Sequence, residues 1–235
     1  MRDYFTIDGI SSGDFGVFVA ETNQFDAPKR DVQTVAVPGR NGTLTIDNGR
    51  YENQPKWYKA YVAKDIKANL AGLRDWILSK SGYRVLKDTM YPEESYQARY
   101  ISGLEVDESD RIGAYFKIDF DRMPQRFLDA GNQIITLTAA GSIRNKYQEI
   151  ALPLIRAYGT GIFSINGVTV RITSASEYTD IDCELQEAYK DTLATDKNSC
   201  VVLTNGVFPS LVPGTNGVTM SGITRLEITP RWWMI

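Results

Sequence analysis

Asn-Gly steps recur at Asn41-Gly42, Asn48-Gly49, Asn166-Gly167, Asn205-Gly206 and Asn216-Gly217, and the segments between them are mostly short and β-branched or aromatic. Asn and Gly tolerate the positive φ of a tight hairpin turn, so this punctuation commits the chain to antiparallel β structure. The clearest case is Ile162-Phe163-Ser164-Ile165, then Asn166-Gly167, then Val168-Thr169-Val170-Arg171-Ile172, which predicts a hairpin with a type I′ turn. That hairpin displaces a phosphate-cradle reading of Tyr158-Gly159-Thr160-Gly161, which no lysine follows as in a P-loop.

In the first half, strands are expected near 4–7, 16–20, 32–37, 42–46, 56–62, 84–86, 98–104 and 114–121. Along the last of these, Phe116, Ile118 and Phe120 alternate with Tyr115, Lys117, Asp119 and Asp121, so one face is core. In the second half they are expected near 134–138, 162–165, 168–173, 178–185, 188–191, 200–203, 218–221 and 224–229, enough for a two-sheet sandwich or jelly roll. One helix interrupts the pattern over 65–80, where Ile66, Leu70, Leu73 and Ile77 follow helical spacing with Trp76 alongside. Asp65 is its expected N-cap and Gly82 its stop. Met123-Pro124 to Asn132 breaks the alternation, which predicts two domains, 1–130 and 131–235.

Composition excludes more than it suggests. The chain of 235 residues contains no histidine, which removes Ser-His-Asp and Cys-His nucleophile systems and histidine-based metal sites. A net charge of −3, with basic residues scattered along the chain, gives no footprint for grasping a phosphate backbone, so sequence-specific nucleic-acid binding is not expected. No apolar run is long enough to span a bilayer and the N-terminus shows no signal-peptide core, so a soluble protein made in the cytoplasm is expected, without membrane insertion. Cys183 and Cys200 are expected to be buried free thiols.

A pair of carboxylates could still cleave a glycosidic bond without histidine. Asp180, Asp182 and Glu184 alternate with Ile181, Cys183 and Leu185 and project from one strand face; Glu105, Asp107, Glu108 and Asp110 form a second acidic patch. A solvated outer face or acidic loop explains both more simply, and neither has the spacing of a calcium loop. No residue is therefore assigned to catalysis, to a cofactor or to a metal.

The order of short motifs along nearly the whole chain resembles the distal tail protein family of long-tailed (siphovirus) bacteriophages. It runs from Phe5-Thr6-Ile7-Asp8-Gly9-Ile10 through Val37-Pro38-Gly39-Arg40-Asn41-Gly42 and the helix between strands. It continues through Pro153, Gly159-Thr160-Gly161, Asn166-Gly167, Ile181-Asp182-Cys183-Glu184, Phe208-Pro209 and Pro213-Gly214 to the closing Ile228-Thr229-Pro230-Arg231-Trp232-Trp233. The resemblance implies an N-terminal β-sandwich with an α-helix, a tail-tube-like ring domain, followed by a C-terminal galectin-like or jelly-roll sandwich, in the compact form without an inserted carbohydrate-binding module. It implies a structural protein, not an enzyme: a homo-hexameric hub at the distal end of the virion's tail, assembled in the host cytoplasm. Its expected partners are the tail tube and tape-measure assembly, the tail-associated lysin or tail-tip protein, and receptor-binding proteins, with DNA passing through the lumen.

Two surfaces follow. Val37, Pro38, Gly39, Arg40, Asn41 and Gly42 are candidates for subunit contact, against the simpler view that they only turn an intramolecular hairpin. The rival function, saccharide binding by the second domain, would use Trp232, Trp233, Tyr178 and Tyr189 to stack on sugar rings, against the simpler view that these aromatics pack inward.

Overall fold

The computed structural model describes residues 2–23, 26–109 and 113–235. The chain divides at Arg126/Phe127 into two compact units, 1–126 with Ile235, and 127–234. Each unit has its own apolar core.

The first unit comprises β1 (Phe5–Ile7), β2 (Ile10–Ser11), β3 (Val17–Thr22), β4 (Arg30–Ala36), β5 (Thr43–Tyr51), β6 (Gln54–Val62), α1 (Ile66–Leu78), β7 (Arg84–Asp88), β8 (Glu94–Tyr100), β9 (Glu105–Ser109) and β10 (Ala114–Arg122). Its main sheet runs β2-β1-β7-β8-β10-β6-β3, with β9 also paired to β10. Alternation decides the faces. Ala114, Phe116, Ile118 and Phe120 of β10 and Tyr58, Ala60 and Val62 of β6 are buried, while Tyr115 and Lys117 point outward.

The sheet curls on itself. Phe5 and Tyr58 lie on strands four steps apart, roughly 19 Å along a flat sheet, yet their rings stack at 4.9 Å. The Val19 N–H then donates to the Asp3 carbonyl at 2.7 Å, joining β3 to the segment just ahead of β1. The two-layer packing expected of this half is thus achieved by one rolled sheet, with α1 laid against it through Leu73, Trp76 and Ile77. Phe15 stacks on Trp76 at 5.0 Å, extending the same cluster.

Local signals were not all as expected. Asp65 precedes the helix in a left-handed conformation and its side chain makes no capping bond; the helix ends with Ser79 as its C-cap, ahead of Gly82. The strand expected over 98–104 lies at Glu94–Tyr100, and β2 and β9 were not anticipated. In the acidic patch, Asp110 and the side chains of Glu105, Asp107 and Glu108 fall outside the described residues.

After β11 (Arg126–Leu128), the second unit contains β12 (Ile135–Leu137), β13 (Gly141–Asn145), β14 (Leu154–Tyr158), β15 (Gly161–Ile165), β16 (Val168–Ile172), β17 (Tyr178–Asp182), β18 (Glu187–Lys190), β19 (Thr192–Asp196), β20 (Val201–Leu203), β21 (Gly214–Ser221), β22 (Arg225–Thr229) and β23 (Trp233–Met234). The sheets β12-β22-β14-β17-β18-β19 and β13-β21-β15-β16-β20 form an antiparallel sandwich. Ile155, Ile181, Leu226 and Ile228 from one sheet share a core with Phe163, Ile165, Val170 and Ile172 from the other.

Asn166-Gly167 makes the expected two-residue turn, with both φ positive and Ile165 opposite Val168. The other Asn-Gly steps in this unit do different work. Asn205-Gly206 sits in a short 3-10 turn, whereas Asn216 lies inside β21, fully buried. Its amide donates to the Ile143, Val212 and Gly214 carbonyls and its side-chain oxygen accepts from Asn166 at 2.6 Å, so the hairpin turn is fastened to the opposite strand. The closing segment is held to the start of the unit: Leu128 donates to the Trp232 carbonyl at 3.0 Å and Arg231 to that of Gly131 at 2.8 Å. A Cβ on Gly131 would stand 2.2 Å from the Trp232 nitrogen, so only glycine fits there.

Candidate functional site

The most conspicuous surface is the β4-β5 hairpin, which forms a separate two-stranded sheet. Pairing of Val35 with Leu44 and Gln33 with Ile46 puts these four side chains on one face, while Val32, Thr34, Ala36, Thr43, Thr45 and Asp47 share the other. The hairpin is therefore amphipathic, yet its apolar face is open: Val35, Leu44 and Ile46 are each 45–46% exposed. Isolated two-stranded hairpins are marginal in water, so such a face needs a cover.

Charge pins the base of the hairpin. Arg30 pairs with Asp47 at 2.9 Å and Arg50 with Asp31 at 2.6 Å, and Arg30 lies over the Tyr51 ring at 4.8 Å. The hydrogen bond from Arg50 holds the Asp31 carboxyl below its usual range, and the Gly49 N–H does the same for Asp47. Asn48-Gly49 therefore lies within β5 beside a bulge, not at a hairpin turn. The candidate contact residues Val37, Pro38, Gly39, Arg40, Asn41 and Gly42 form the connection at the tip, where Arg40 N–H closes a turn onto the Val37 carbonyl at 3.1 Å. All six are exposed.

A second apolar feature lies on the outer face of the rolled sheet. Register places Phe18, Tyr61 and Tyr115 side by side on β3, β6 and β10, with neighbouring ring centroids 6.0 and 6.2 Å apart. Tyr115 is more than half exposed. Nothing in the linear order of these residues announces the row; it exists because three strands pair in one register.

The second unit disposes of its acidic strand differently from expectation. Asp180 and Asp182 are not solvated: both are almost wholly buried beneath arginines. Arg156 grips Asp180 through two bonds of 2.7 and 3.0 Å, and Arg231 grips Asp182 through two of 2.7 Å. Burial works to raise the Asp182 pKa, but the Arg231 bonds and charge and the Leu185 and Glu184 N–H groups outweigh it and hold the carboxyl below its ordinary value. A carboxylate so held is a poor proton donor. Glu184 lies past the end of β17 and meets Arg231 at 3.2 Å. Cys183 is buried, its thiol pushed up to about 12 by desolvation; Cys200, expected to be buried as well, is only half-buried.

The four aromatics proposed for sugar stacking do not form one platform. Trp232 belongs to the core, and Trp233 packs partly against it and donates its indole N–H to the Ile150 carbonyl at 3.0 Å. Tyr178 is half-buried, tilted 53° from Tyr158, with Arg156 4.1 Å from its ring and its hydroxyl bonded to Asp191. That bond raises the Tyr178 pKa to about 12. Tyr189 is half-buried on β18. Among the described residues, no group of three metal-ligating side chains is assembled, and no helix is long and apolar enough to cross a membrane.

No protein-family model and no curated protein matches the chain. Solved structures do. The Dit protein (gp 19.1) of phage SPP1, described as a paradigm of the hub adsorption apparatus in phages infecting Gram-positive bacteria, superposes with a TM-score of 0.73 at 13% identity, over 97% of this chain and 98% of that one. A chain of the phage p2 baseplate in its activated conformation with strontium gives 0.56 at 10% identity, over 97% and 96%. The calcium form gives 0.54 at 8%, over 97% of each. From end to end, the chain therefore has the fold of these phage tail hub and baseplate proteins.

Proposed function

We propose that this protein is a structural hub at the distal end of a siphovirus tail, a homo-hexameric ring joining the tail tube to the tail-tip and adsorption proteins and leaving a lumen for DNA. The observation that carries the reading is full-length agreement of both units, in order, with the Dit hub protein of phage SPP1. The hairpin supports it. In a ring, each copy would lay Val35, Leu44 and Ile46 on the Phe18–Tyr61–Tyr115 row of the next, a head-to-tail contact that closes on itself. Full burial of an aliphatic side chain is worth about 1.5–3 kcal/mol, so covering three half-exposed ones gains a few kcal/mol per contact, repeated around the ring. Assembly would take place in the host cytoplasm, and the tip residues Val37 to Gly42 would reach the neighbouring copy first.

The saccharide-binding reading has less support, since its proposed aromatics are divided between core and surface. Light scattering over a concentration series, followed by negative-stain electron microscopy of the largest species, tests the hub. Closed six-fold rings with a central hole are the expected result; a monomer at every concentration, including with the tail-tube protein added, would sink the proposal.

A further inference from the structure

Asparagine followed by glycine carries a reaction of its own. The glycine nitrogen, unhindered because no Cβ stands beside it, attacks the asparagine side-chain carbonyl carbon. A new C–N bond closes a cyclic succinimide, the bond to the side-chain nitrogen breaks, and ammonia leaves with the proton that the glycine gives up. Water then opens the ring at either carbonyl, giving aspartate or isoaspartate; no oxidant or reductant takes part. Attack needs a carboxamide free to turn, a glycine N–H free to lose its proton, and access to water. The five Asn-Gly steps of this chain differ in all three respects.

Three of them are held. Asn216 is fully buried with its amide spent on main-chain carbonyls, and the Gly217 N–H donates to the Asn166 side-chain oxygen at 3.0 Å. The Asn166 carboxamide is clamped at both ends, since its nitrogen donates to Asn216 at 2.6 Å and its oxygen accepts that Gly217 bond. Asn48 is exposed, but its amide donates to the Asp31 carboxylate at 3.0 Å and the Gly49 N–H donates to Asp47 at 2.7 Å. A carboxylate on that N–H opposes loss of its proton. A charged hydrogen bond that must break before attack slows it roughly tenfold or more.

The other two steps are exposed, and no hydrogen bond among the described residues occupies either carboxamide or either glycine N–H. Asn205 stands within a turn closed by the Val207 N–H on the Thr204 carbonyl at 3.4 Å, which fixes its φ at 60° and its ψ at 17°. Asn41-Gly42 lies between the turn that Arg40 closes onto Val37 and the first ladder pair, Ala36 with Thr43, outside both. We propose that Asn41 is a site of spontaneous deamidation in the folded protein, the first asparagine of this chain to become aspartate or isoaspartate. The product sets a new carboxylate beside Arg40 at the hairpin tip, and as isoaspartate it lengthens the backbone there by one methylene. The site stands whether or not rings form; copies in a ring, with the tip covered, would convert more slowly.

Dilute protein, kept unassembled if necessary by V35D with I46D, is held in mildly alkaline buffer, sampled over weeks and digested in mild acid for peptide mass spectrometry. Asn41 is expected to lose its amide first, at a rate that rises in proportion to hydroxide, with Asn205 slower and Asn48, Asn166 and Asn216 slower by about tenfold or more. Labelling by protein isoaspartyl methyltransferase should mark the same peptide. In urea, where no hydrogen bond or burial separates them, the five steps should converge to similar rates. A native order that does not begin with Asn41 refutes the proposal, as does an Asn41 that stays intact while the unfolded chain converts. The native spread of rates persisting in urea would place its cause in the flanking residues and overturn the structural assignment. N41Q should remove the earliest acidic species on isoelectric focusing without moving the melting temperature; persistence of that species would assign the new charge elsewhere and sink the site.

Discussion

Asp182 and Arg231 show how much a single pair can hold in place. Asp182 closes β17, while Arg231 lies between β22 and β23 in a left-handed backbone conformation beside Gly131, so their two bonds tie the closing segment to the middle of the sandwich. The folded pKa of Asp182 is depressed, so the pair's contribution is present above the unfolded carboxylate value near 3.9 and is lost as pH falls through the lower folded value. D182N is expected to cost about 2–4 kcal/mol at pH 7, and urea unfolding should show the gap to wild type shrinking towards pH 2. An equal loss at both pH values would mean that the charge is not the cause. Alternation placed Asp180 and Asp182 on one strand face from the linear order alone. That arginines 24 and 49 positions away would cover that face was not legible, because no local rule links residues so far apart.

At the level of elements, the hairpin is the part most open to test. Its strands were visible as β-branched runs around Pro38-Gly39 and Asn41-Gly42, but the same valines, leucine and isoleucine would serve equally well as core. Only the structure leaves them exposed. V35D combined with I46D should therefore change folding stability by no more than about 0.5 kcal/mol, while abolishing higher oligomers in light scattering. A large drop in melting temperature would instead assign these side chains to the fold of the single chain. Other elements were obscured by their surroundings. β14, a central strand between β22 and β17, went unnoticed because Pro153 and Gly159 bracket only five residues, and Asn216 resembled a turn though it ends as a buried hydrogen-bond hub.

Across the whole molecule, two separate cores make a separate prediction: a fragment covering 127–234 should fold alone, with a cooperative melt and native near-ultraviolet circular dichroism. A fragment without a cooperative transition would show that the sandwich depends on the first unit. The amino-acid sequence by itself determined the β class, the inward face of β10, the helix α1 and the Asn166-Gly167 turn, since these follow from local φ preferences and side-chain period. It also carried, in the order of its short motifs, the likeness to phage distal tail proteins whose fold the structure shares. Tertiary structure alone decided that the first sheet rolls until Phe5 meets Tyr58, that Phe18, Tyr61 and Tyr115 align, and that Arg122 is buried against the neutral Gln54 side chain. Those outcomes depend on strand register and on which distant strands pair, and pairing is settled by the total burial of the folded chain, which no short stretch encodes.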